Sequence, residues 1–153
     1  NDERAIFFAK GVVETVKKLN WAPDIIHVHG WMASLLPLYI KEYYSDEPLF
    51  LESKIVTSVY NKDFEGSLNS GLVDKIKFDK ISDDKISILQ EPNYTNIIKS
   101  AVSNSDAIVQ GSSEIPEEIA EEIRNRDVPA LSFQEEDSFE SYLNFYKELI
   151  SEE

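Results

Sequence analysis

The sequence predicts an α/β domain: a parallel β-sheet with helices on both faces. Three observations carry this reading. Short apolar runs rich in β-branched residues alternate with segments of helical periodicity, the pattern of βαβ units. Two of those runs, residues 25–29 and 106–110, stop directly at a glycine, Gly30 and Gly111. The 153 residues, 42% hydrophobic and 11% aromatic, suffice for a packed core of single-domain size.

Residues 3–19 read as the first helix. Ile6, Ala9, Val13 and Val16 recur at three- and four-residue spacing, and Phe8, Val12 and Leu19 widen that face. Lys17 and Lys18 suit the negative pole at its end. Pro23 interrupts helical structure and biases Ala22 toward an extended conformation. Ile25-Ile26-His27-Val28-His29 then reads as a buried parallel strand. Residues 31–44 read as a helix with Leu36, Ile40 and Tyr43 as its apolar stripe and Leu35 and Tyr39 alongside. Pro37 falls early in it, where a missing N–H costs least, and Glu42 turns its end toward solvent.

Residues 53–60 form the second strand, rich in β-branched side chains. Between 61 and 95 the pattern thins. Asn69-Ser70-Gly71 and Ser82-Asp83-Asp84 mark loops around a short helix at 72–76. Ile97, Ile98, Ala101 and Val102 give residues 94–102 a helical face, and residues 106–110 form the third strand. Residues 116–124 read as an acidic helix with Pro116 in its first turn. A fourth strand is expected at 128–133. A closing helix follows at 138–150, with Phe139, Tyr142, Leu143, Tyr146 and Leu149 on one side.

Charge narrows the functional classes. The formal net charge is −14, yet residues 113–153 hold thirteen acidic and three basic side chains, so most of the imbalance sits in the last quarter. Fifteen Lys+Arg against twenty-nine Asp+Glu argue against nucleic-acid binding, which depends on neutralising phosphates. No apolar run reaches the ~18 residues of a membrane span. The absence of cysteine removes disulfides, thiolate metal sites and a cysteine nucleophile, and fits a cytoplasmic setting. The chain opens on Asn1 rather than Met, so a longer parent protein is expected.

Ligands of open parallel sheets gather at the carboxyl ends of the strands. Three such ends are readable: His29-Gly30-Trp31, Tyr60-Asn61 and Gly111-Ser112-Ser113. They form either a small-molecule cleft or plain turns. His27 and His29, spaced i, i+2, share one side of a strand as a metal pair would. No cysteine or adjacent carboxylate motif completes a ligand set, and no metal is expected. Gly-x-Ser-x-Gly, Gly-x-Gly-x-x-Gly and Walker motifs are missing, so no nucleophile elbow or phosphate-cradling cofactor loop is expected. Glu114, Glu117, Glu118, Glu121 and Glu122 read as a solvated helix face.

The segment Trp21-Ala22-Pro23-Asp24-Ile25-Ile26-His27-Val28-His29-Gly30-Trp31-Met32-Ala33-Ser34-Leu35-Leu36-Pro37-Leu38-Tyr39 resembles the W-x-P-D-(I/V)-(I/V)-H-x-H-D-W-H-(T/A)-(A/G)-L-x-P-x-Y stretch of bacterial glycogen and plant starch synthases. Residues 1–8 are similar to that family's Asn-x-x-Arg-Phe-x-Phe-Phe helix start. Residues 56–66 resemble its V-F-T-(I/V)-H-N-L-A-Y-Q-G. Residues 96–109 resemble N-L-L-K-A-G-(I/L)-x-x-A-D-x-(I/V), with Gly111-Ser112-Ser113 standing where the family has V-S-P. The likeness covers residues 1–119.

The resemblance implies a Rossmann-like parallel sheet with helices on both faces. Residues 1–153 would be one α/β domain, the C-terminal portion of the N-terminal domain of a GT-B glycosyltransferase, with 128–153 as an acidic tail carrying the closing helix. It implies glucosyl transfer from ADP-glucose to an α-1,4-glucan, with those two compounds as ligands of the full-length protein. It points to His29, Gly30, Trp31, Met32, Asn61, Gly111 and Ser112 as substrate-binding positions and assigns none of them catalysis. The departures are specific: D-W-H reads Gly30-Trp31-Met32, replacing a His placed against the transferred glucose, and H-N reads Tyr60-Asn61. The family's Lys-x-Gly-Gly-Leu nucleotide loop and C-terminal domain have no counterpart in these residues. This chain alone is therefore expected to be inactive, with a non-catalytic glucan- or partner-binding relative as the alternative. The closing helix is either an ordinary last helix or a cover across the sheet like the final helix of GT-B enzymes.

Overall fold

The computed structural model describes residues 1–135 and 139–151. Its frame is a four-stranded, wholly parallel sheet in the order β1 (Ile25–His29), β2 (Lys54–Val59), β3 (Ala107–Gln110), β4 (Ala130–Leu131). The expected Rossmann-like α/β layering is what forms. Around the sheet lie α1 (Asp2–Lys18), α2 (Leu36–Leu38), α3 (Leu72–Phe78), α4 (Asp83–Ile86), α5 (Tyr94–Ser103), α6 (Glu117–Asn125) and α7 (Phe139–Ser151).

Register sorts the side chains. His27 pairs with Val56 and Val56 with Ala107, while His29 pairs with Ser58 and Ser58 with Val109. Because strand side chains alternate, Ile25, His27, His29, Val56, Ser58, Ala107 and Val109 share one face. On that face Phe145 and Leu149 of α7 are buried with Val56, Ala107 and Val109, and Tyr142 and Tyr146 pack beside them. The opposite face carries the main core, where Ala5, Ala9 and Val13 of α1 meet Val28, Leu35, Leu38, Tyr39, Ile55, Ile76 and Ile97. Asp106 ties the start of β3 to β2 and to the segment after α2: its carboxylate accepts the Ile55 N–H at 2.8 Å and pairs with Lys41 at 2.9 Å.

Several elements differ from the sequence expectation for identifiable reasons. The helix expected at 31–44 is broken into a 3₁₀ turn at Trp31–Ala33, the short α2 and a π turn at Tyr39–Tyr43. Pro37 lacks an N–H and is found in the first turn of α2, so regular helix begins at Leu36. The π turn then adds one residue to a helical turn, with the Tyr44 N–H bonded to the Tyr39 carbonyl at 2.9 Å. That shift rotates Tyr43 outward and brings Tyr44 into the buried position the sequence stripe assigns to Tyr43. The fourth strand shrinks to two residues, and Pro116 stands just before α6 rather than inside its first turn.

Two expected helix faces pack on the core through most of their named residues and differ at their margins. On α7 the buried side is Phe145 and Leu149, while Phe139 is exposed; Ser138 of the expected helix lies outside the described residues. On α1, Phe8 and Leu19 point away from the core and Leu19 is 67% exposed. The segment 61–95 resolves into α3, α4 and a 3₁₀ turn at Ser87–Gln90, with Leu72, Ile76, Ile86 and Leu89 buried. Among the described residues, no helix is long and apolar enough to cross a membrane.

Candidate functional site

The carboxyl ends of β1, β2 and β3 meet through a chain of hydrogen bonds. The Gly111 N–H donates to the Val59 carbonyl at 2.7 Å, and the Asn61 N–H donates to Ser112 Oγ at 3.1 Å. Asn61 in turn accepts the Lys62 N–H on Oδ1 at 2.8 Å, which holds its amide in the turn. The Tyr94 hydroxyl donates to the Tyr60 carbonyl at 2.9 Å, and Gln110 Nε2 donates to the Ser112 carbonyl at 2.9 Å. Tyr60 stands one pleat beyond Ser58, and its hydroxyl is 2.7 Å from His29 Nδ1.

The two histidines lie ring on ring, with centroids 4.1 Å apart and planes at 29°. His27 Nε2 is 2.7 Å from Ser58 Oγ, and its Nδ1 bonds the Tyr146 hydroxyl. Both nitrogens of His27 are thus occupied by hydroxyls, which takes them away from a metal. Among the described residues no cluster of three His, Asp or Glu side chains stands close enough to hold an ion. Burial, and then the neighbouring His29, pushes the His27 pKa down to about 4. Burial also lowers that of His29 and raises those of Tyr60 and Tyr146, so both imidazoles are neutral and both phenols protonated near pH 7.

The fold brings His29, Asn61, Gly111 and Ser112 together, with Gly30 closing β1. Gly30 has φ 73° and ψ 161°, a conformation open to glycine, and its carbonyl accepts Ser34 Oγ at 3.0 Å. Trp31 joins from the side: it meets Phe64 edge-on at 5.1 Å, and Phe64 meets Tyr94 at 5.7 Å. Met32 goes elsewhere. It lines a groove of about 900 Å³ together with Phe7, Phe8, Val12, Leu19 and Trp21. Trp21 precedes β1 and Met32 follows it, so the groove flanks α1 along the edge of β1, which has no partner strand among the described residues. Phe7 is 79% and Trp21 58% exposed there.

Phe64, Tyr94, Tyr142 and Tyr146 also surround these strand ends, and the sequence reading did not place them there. In the sequence Tyr60 reads as part of the strand end Tyr60-Asn61 and as the replacement for a family His, without a partner assigned to its hydroxyl. Parity with His29 and Ser58 along paired strands was the available signal, but it needs the register.

A parallel sheet with helices around it, its strand ends carrying hydroxyl, amide and imidazole groups, is a fold of the Rossmann-like α/β class. The chain belongs to the starch synthase catalytic domain family, whose model matches residues 1–130. It is 33% identical over 135 residues to a glycogen synthase of Chlorobium luteolum, covering 88% of this chain and 26% of that protein. It is 31% identical over 117 residues to a glycogen synthase of Clostridium perfringens, covering 76% of this chain and 24% of that one. A glycogen synthase of Elusimicrobium minutum is 41% identical over 66 residues, 43% of this chain and 14% of its own length. The chain thus spans about a quarter of the length of the first of these relatives. Helix α7 lies beyond the family match.

Proposed function

We propose that residues 1–153 are the C-terminal portion of the N-terminal domain of a GT-B glucosyltransferase acting on ADP-glucose and an α-1,4-glucan, and that alone they bind glucan without transferring glucose. The observation that carries this is the chemistry of the strand ends. His29, Tyr60, Asn61, Ser112 and Trp31 offer neutral hydrogen-bonding groups and an aromatic edge, which suit sugar hydroxyls and sugar faces. Transfer with departure of a nucleoside diphosphate needs cationic stabilisation. Lys62, the cation beside Asn61, is paired with Glu65 at 2.6 Å. The open edge of β1 and the apolar groove beside α1 suit a further strand and helix of the same domain. The reading carries a cytoplasmic setting with it, which the cysteine-free sequence accommodates.

A second reading, a non-catalytic relative that binds glucan or a partner, is favoured by Gly30 and Met32 in place of the family's Asp and His. Calorimetry with ADP-glucose and with maltoheptaose tests both. Heat with maltoheptaose alone is the expected result for these residues. Turnover of ADP-glucose by this chain overturns its inactivity, and binding of neither compound overturns the glucan reading.

A further inference from the structure

Tyr60 and His29 form the side-chain contact at the carboxyl ends of β1 and β2. The register aligns His29 with Ser58, so Tyr60 lies on the same face one pleat further on, and its hydroxyl reaches His29 Nδ1 at 2.7 Å. The tyrosine has room to do so because residue 111 is glycine: a Cβ there would stand 2.5 Å from the Tyr60 ring. On its other side the His29 ring is stacked on His27, whose own nitrogens are held by Ser58 and Tyr146. The imidazole of His29 is therefore fixed in plane by one neighbour and in rotation by another.

The direction of the bond follows from acidity. A phenol is a better donor than a neutral imidazole N–H, and an imidazole nitrogen is a better acceptor than a phenol oxygen. Burial keeps the His29 ring neutral and the Tyr60 phenol protonated, with Ser58, Tyr142 and Asp63 as the other polar groups facing Tyr60. Tyr60 Oη–H thus donates to Nδ1, and the single imidazole proton resides on Nε2. Among the described residues Nε2 has no protein partner, and His29 is exposed at the end of its strand.

We propose that Tyr60 is a positioning residue that holds His29 as the Nε2–H tautomer and so presents one directed, uncharged donor to a saccharide hydroxyl at the exposed end of β1. The choice of ligand rests on the glucan reading above, whereas the tautomer does not. Tyr60 stands where the family resemblance has a His, so the motif quoted for the family does not supply this phenol. An uncharged donor favours a hydroxyl over a phosphate, which an imidazolium would draw.

The test uses the 153-residue chain labelled with ¹⁵N at histidine. Long-range ¹H–¹⁵N correlation of wild type is expected to show His29 protonated on Nε2 and bare on Nδ1. Tyr60→Phe keeps the ring against Gly111 and removes only the hydroxyl. It is expected to shift His29 toward a mixture of tautomers and weaken maltoheptaose about fivefold, the scale of one neutral hydrogen bond. A proton on Nδ1 in wild type, or a tautomer unchanged in Tyr60→Phe, overturns the positioning role. A changed tautomer with unchanged maltoheptaose affinity also overturns it. Failure of wild type to bind maltoheptaose removes the saccharide and the glucan reading together, and the spectrum still decides the tautomer.

Discussion

The ring of Tyr60 fills the space that a side chain on Gly111 would need, since a Cβ at that position would stand 2.5 Å from it. The two residues follow Val59 and Gln110, which are paired across β2 and β3, so the contact is set by register rather than by a loose loop. Gly111→Ala is expected to displace the ring, break its bond to His29 and lower stability by about 1–3 kcal/mol. Chemical denaturation of the Tyr60→Ala background checks the cause. There the same substitution is expected to cost less than about 0.5 kcal/mol, and an equal loss in both backgrounds places the clash elsewhere.

Gly30 makes a different demand. Nothing lies within 4 Å of a Cβ at position 30, so space is not limiting, but its φ of 73° with extended ψ is unsuited to side-chain-bearing residues. Gly30→Ala and Gly30→Asp are each expected to lower stability by about 1–3 kcal/mol, even though Asp is the residue the family motif has there. Denaturant midpoints of the two variants measure this, and a midpoint equal to wild type for either contradicts the strained backbone.

His27 makes stability depend on pH. Its pKa falls from 6.5 when solvated to about 4 in the fold, so between those values the unfolded chain binds more protons than the folded one. Stability then rises with pH across that window, is full above about 6.5, and is lost progressively as pH falls toward 4. The Tm advantage of wild type over His27→Gln is expected to shrink over the same interval. A constant difference from pH 7 to pH 4 is the result that excludes a neutral, hydroxyl-bound imidazole.

Met32→His restores a family residue at a position that faces the groove of Phe8, Leu19 and Trp21 rather than Asn61 and Ser112. No ADP-glucose turnover is expected from that variant. Release of ADP in the presence of maltoheptaose is the assay, and any rate above the buffer blank refutes the expectation.

Period and punctuation in the sequence carried the parallel sheet a long way. Ile25–His29 and the glycines after β1 and β3 could be read because a short apolar run and its turn are local signals. Among the described residues β1 is nevertheless a half-buried edge strand in which only Val28 is fully covered, not the buried strand expected. The break at Pro37 and the π turn were not legible, because a continuous apolar stripe looks the same whether or not one residue is looped out of it. The face of α7 was misread at Phe139 because the helix packs through Phe145 on Val56 and Ala107, some ninety and forty residues earlier, and no periodicity names a partner. In the site, His29, Asn61, Gly111 and Ser112 came from strand-end position. Tyr146 lies 119 residues from His27 in the chain, and only the packing of α7 on the sheet joins them.

The margin of β1, unpaired among the described residues, has a colloidal consequence. It presents free backbone donors and acceptors beside exposed Phe7 and Trp21, which is a template for any extended chain that comes near. What keeps identical copies apart in dilute buffer is the formal charge of −14, a repulsion that acts over the Debye length. Added salt shortens that length from about 10 Å at 0.1 M to about 3 Å at 1 M while leaving the hydrogen-bonding groups in place. At a given protein concentration, added salt is therefore expected to favour self-association of this polypeptide.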